Sequence, residues 1–122
     1  MLRAGFAKAF VPAAAVVHSH DYRLIDRARR SFDEARALEE IYDWREPLAP
    51  RVIVRNLWGN VGADRRWFVD HGGVTTPPAQ LELLVRATLH HVARTTGAVL
   101  GSRARRLPRS AVRRLSLEGR SG

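Results

Sequence analysis

The densest group of chemistry-bearing residues is His18-Ser19-His20-Asp21, reached through the apolar pair Val16-Val17. In a strand, side chains two apart share a face, so His18 and His20 would point together, and Asp21 follows at once. Neutral imidazole and carboxylate suit a divalent cation. The same letters have a second use, in which Ser19 or Asp21 caps a following helix and the histidines fill polar positions at a strand end. A second group is Arg23, Arg27 and Arg30 with Arg29 beside them. Spacings of three and four put the first three on roughly one helix face, and guanidinium forks match phosphate oxygens. A solvated helix face is the ordinary alternative.

These groups need elements to hold them. Residues 10–18 are small, apolar and β-branched without helical period, which predicts a short strand entered at Pro12. Such a strand needs a sheet, because unpaired buried backbone groups cost about 1–3 kcal/mol each. Residues 51–54 are a weak second candidate. Over residues 22–44, Ile25, Ala28, Phe32, Ala35 and Leu38 recur at helical spacing, and Pro47 and Pro50 end the pattern. A short helical stretch is expected over 51–58. Gly59, Gly62, Gly72, Gly73, Pro77 and Pro78 then predict loops with at most a helical turn near Trp67. From Pro78, the stripe Leu81, Leu84, Val85, Thr88, Val92, Thr95 and Val99 predicts a third helix, ending around Gly97 and Gly101.

Composition narrows the chemistry. The chain has 122 residues, enough for one domain, and no cysteine, which removes thiolate metal sites and cysteine nucleophiles. Of its 21 basic residues all but Lys8 are arginine, giving a net charge of +9. Such a balance points to nucleic acid or an anionic membrane, or reflects only codon bias. The apolar run over residues 11–17 is far short of the roughly 20 residues that span a bilayer. No leader cleavage site follows it, so a cytoplasmic protein is expected.

Order and spacing along the chain carry a family resemblance. The run RAGFAKAFVPAAAVVHSHDYRLIDRARRSFDEA, residues 3–35, resembles the family 2 glycosyltransferases that transfer rhamnose and related sugars. The matching features are the Gly5-Phe6 turn, Pro12, the His18 to His20 run and Arg29-Arg30-x-Phe32-Asp33. The run GAVLGSRARRLPRSAVRRLS, residues 97–116, is similar to that family's closing segment, and LWGNVGADRRWFVDHG, residues 57–72, matches more loosely. Ser31 stands where the family has an aromatic residue, and residues 72–78 depart from its pattern.

The resemblance implies a GT-A nucleotide-binding domain with a helical C-terminal extension. Residues 1–21 would end the catalytic domain, 22–102 form the helical extension and 103–122 a basic, partly disordered tail with a short helix over 110–117. The expected fold is therefore mostly α, a short strand followed by three or so amphipathic helices. His18, with His20 as neighbour, would complete a Mg or Mn site, and Arg29, Arg30 and Asp21 would approach the donor diphosphate and substrate. The family's Asp-x-Asp motif and general base lie before the part represented here, so metal binding and turnover are expected only with a nucleotide-sugar domain. The partners implied are a nucleotide-sugar and a glycan acceptor, with the arginine-rich tail near an anionic inner-membrane face. A small basic module for nucleic acid or membrane is the alternative function.

Overall fold

In the computed structural model of the protein, residues 23–118 are described. They form four α-helices, α1 (Leu24–Tyr42), α2 (Pro50–His71), α3 (Pro77–Gly101) and α4 (Arg109–Leu115), with a 3-10 turn at Ala104–Arg106 before the last. The fold is mostly α, with no strand among the described residues. The strand expected over residues 10–18 lies outside them, and α1 begins one residue after Arg23, its N-cap, which makes no side-chain cap bond, and not from the expected Ser19 or Asp21.

Helix α1 follows the predicted span closely. Its last turn closes where Asp43, in the left-handed region at φ 53°, donates its N–H to the Glu39 carbonyl at 2.9 Å. Its inner face differs from the predicted one. Phe32 and Ala35 are buried, but so are Ser31, Asp33 and Glu39, whereas Ile25 and Leu38 are exposed.

The reason is how closely α3 approaches. Gly97 lies against the backbone of Ala28, and Gly101 against that of Phe32. Both helices advance by four residues between these contacts, so they run in the same direction. A Cβ at either glycine would fall onto the facing carbonyl oxygen, 2.8 Å from its carbon. Only the absence of a side chain permits this packing. A backbone-to-backbone contact gathers small residues at its centre and leaves the longer apolar ones outside.

Helix α2 corrects the sequence reading. A short helical stretch followed by loops was expected, and residues 51–54 were a weak strand candidate; instead one helix of 22 residues runs through Gly59 and Gly62. Each mid-helix glycine costs about 1 kcal/mol relative to alanine, too little to break a helix that packs. Val61 is buried, and Asp64 and Arg65 reach His91 and Gln80 of α3. Pro50 stands at the first helical position, where its missing N–H removes nothing. Residues 52–60 line up with 94–98 and residues 64–65 with 91 and 80, so α2 runs antiparallel to α3.

Helix α3 is therefore the middle element, with α1 on one side and α2 on another. Its extent was legible, but its orientation was not. Leu81, Val85, Leu89 and Val92 form a stripe that nothing described covers; Leu81 is 64% exposed and Val85 51%. The small face carrying Ala87, Gly97 and Gly101 is the buried one.

The basic segment after α3 folds back onto α1 as far as it is described. Asp33 Oδ2 accepts the backbone N–H of Leu117 at 2.8 Å and of Glu118 at 3.3 Å, while Arg29 Nε donates to the Arg114 carbonyl at 3.2 Å. Ala104 and Ser116 are buried.

Candidate binding cleft

A cleft of about 450 Å³ opens between the N-terminal half of α2, the C-terminal half of α3 and the 43–49 connection. Val52, Ile53, Pro47 and Ala98 give it apolar walls. Glu46, Arg55, Asn56, Asn60, Arg94 and Thr95 give it polar ones. The connection is firmly anchored. Arg103 Nη2 donates to the Glu46 carbonyl at 2.7 Å, and the Glu46 N–H donates to Oγ of the fully buried Ser102 at 3.2 Å. Arg103 also holds the Val99 carbonyl and Ser102 Oγ, at 3.1 and 2.9 Å.

One turn away, Glu39, 3% exposed, receives two guanidinium groups that reach in from solvent: Arg105 at 2.9 Å and Arg45 at 3.5 Å. A buried carboxylate without such partners would be strongly disfavoured. These bonds fix the cleft's outer wall against α3. They also occupy Arg103 and Arg105, which the sequence places in a basic tail.

Below the cleft, the adjacent histidines of α3 serve different neighbours. His90 Nε2 lies 3.2 Å from Arg27 Nη2. A guanidinium can only donate, so Nε2 accepts and the proton sits on Nδ1. Burial, then the positive charge of Arg27, lowers the pKa of His90 below its ordinary 6.5, with His91 and Arg94 acting in the same direction and Asp64 against them. His91 does the reverse, donating from Nε2 to Asp64 Oδ2 at 2.7 Å. Its Nδ1, like Arg27 Nε, is buried without a partner among the described residues.

The residues singled out from sequence fall elsewhere. His18, His20 and Asp21 lie outside the described residues. Arg29 is bonded to the Arg114 carbonyl and sits 3.6 Å from Asp26. Arg30 pairs with Glu34 at 2.9 Å on the α1 surface. Phe32 and Asp33 of the same motif hold the core and the C-terminal segment. Neither Arg29 nor Arg30 lines the cleft. Among the described residues no group of His, Asp and Glu is placed to hold a metal ion, and no helix is long and apolar enough to cross a membrane.

Sequence reading missed the cleft because its polar residues come from three separate stretches. Asn56 and Asn60, four apart, would have signalled one helix face had α2 been recognised as continuous. No protein-family model, curated protein or solved structure matches this chain.

Proposed function

We propose that the chain serves as the helical C-terminal portion of a family 2 glycosyltransferase, packing on a nucleotide-sugar-binding domain. The sugar implied by the resemblance is rhamnose, moved from a nucleotide diphosphate to a cell-surface glycan. One observation carries the reading. Helix α3 is occupied by α1 and α2 on two sides and presents Leu81, Val85, Leu89 and Val92 on the third. A contiguous exposed apolar stripe normally marks a contact surface.

The completing domain would supply the general base and the metal that balances charge on the departing diphosphate. The part of the described residues is to form a rigid helical wall and to present the cleft beside it.

The test is a metal-dependent transfer assay with dTDP-rhamnose, on the chain alone and co-expressed with the protein encoded immediately upstream. Transfer by the pair alone, lost when Leu81, Val85 and Leu89 are changed to serine, is the expected result. Inactivity of the pair, with salt-sensitive nucleic acid binding by the chain, would overturn it in favour of the basic module. That alternative retains the exposed Arg106, Arg109, Arg113 and Arg114, Arg103 and Arg105 being occupied internally.

A further inference from the structure

We infer that the cleft between α2 and α3 is a binding site for a small anionic polyol, a ligand carrying hydroxyls and a phosphate. The inference stands apart from the glycosyltransferase reading and would hold for any function of the chain.

Arg29, Arg30, Arg36, Arg45, Arg86, Arg103 and Arg105 all engage a carboxylate or carbonyl within the chain. Arg55 and Arg94 are exposed and form no hydrogen bond or ion pair with a described residue, as is true of the exposed Arg51, Arg66, Arg106, Arg109 and Arg113, but these two line the same cleft. The side chains of Glu46, Asn56 and Asn60, which also line it, likewise form none. Five unengaged polar groups from three elements thus converge on one cavity. Glu46 has both its N–H and its carbonyl bonded, while its carboxylate has no partner among the described residues.

The mix of groups specifies the ligand. Two guanidinium groups against one carboxylate leave a positive excess, suited to one phosphate group. Two carboxamides and a carboxylate offer both donors and acceptors, the pattern that hydroxyls satisfy. The volume, about 450 Å³, is in the range of small-molecule sites.

Gly59 is one of two mid-helix glycines in α2 that packing does not require, Gly62 being the other. It lines the cleft in mid-helix, and a Cβ there would meet nothing within 4 Å. Packing therefore gives no reason for glycine, which weakens the helix relative to alanine. A ligand lying against the α2 backbone would give one. Gly62 offers a control: a Cβ there meets only the flexible end of Arg66 at 3.6 Å, and the residue does not line the cleft.

The experiment is an NMR titration of the full chain with glucose 1-phosphate, inorganic phosphate and glucose, followed through the Asn56 and Asn60 side-chain amides. Saturable shifts with glucose 1-phosphate are expected, about tenfold weaker binding for phosphate alone, and none for glucose. Arg94→Gln should weaken glucose 1-phosphate binding about tenfold, while Arg86→Gln, far from the cleft, should not. Gly59→Ala and Gly62→Ala should both raise the unfolding midpoint, and only Gly59→Ala should weaken binding. Equal affinity for phosphate and glucose 1-phosphate, or unchanged binding in both Arg94→Gln and Gly59→Ala, would overturn the inference. So would the absence of shifts at about 10 mM ligand.

Discussion

On the α1 side of α3, backbone meets backbone: Gly97 and Gly101 let the helices close until no side chain fits between them. On the α2 side the helices are held by long polar arms, Asp64 to His91 and Arg65 to Gln80, and a cleft remains beyond them. The adjacent histidines divide between the two, His90 turning to Arg27 of α1 and His91 to Asp64 of α2. The closed seam is rigid because it has no room to rearrange. The open one has room for a ligand because its residues were never packed against one another.

The closed seam should be the more sensitive of the two. Gly97→Val would drive a branched side chain into the Ala28 backbone, and the neighbour cannot yield. A loss of about 3 kcal/mol or more is expected, read as a large fall in the urea midpoint. If the midpoint hardly moves, α1 and α3 are not in backbone contact.

The open seam should respond more mildly and more locally. Asp64→Ala removes the acceptor from His91, leaving both ring nitrogens of a largely buried imidazole unsatisfied. A loss of about 1–2 kcal/mol is expected, with faster amide exchange in α2 than in α1. Uniform acceleration in both helices would mean the two seams are not separable.

The smallest effect is the pH response of His90. Its lowered folded-state pKa means the unfolded chain takes up the proton more readily. Its contribution to stability is present above pH 6.5 and is lost as pH falls below 6.5 through the folded-state value. His90→Gln keeps an acceptor for Arg27 and should flatten that part of the profile. An unchanged slope in the variant would show that His90 is not the responsible group.

Particular residues show what was legible. The span of α1 could be read because Ala28, Phe32 and Ala35 keep helical spacing until Pro47 intervenes. Its buried face could not, because Ser31, Asp33 and Glu39 are inside only by virtue of partners distant in sequence: Asp33 holds the backbone at residues 117 and 118, and Glu39 holds Arg105. Helix α2 was hidden by Gly59 and Gly62, which are punctuation locally and helix interior once Val61 has α3 to pack on. The cleft was invisible for a related reason. Asn56, Arg94 and Glu46 become neighbours only when a helix absent from the local signal crosses a helix that is present.

The sequence by itself determined the mostly helical class, the extents of α1 and α3 and the arginine-dominated charge, because these follow from local periodicity, proline placement and composition. Tertiary structure decided which face of α3 is inside. Apolar side chains recur on one stripe, but the tightest contact comes from glycines on another, and an approach limited only by backbone atoms outcompetes the larger residues for the centre of the fold.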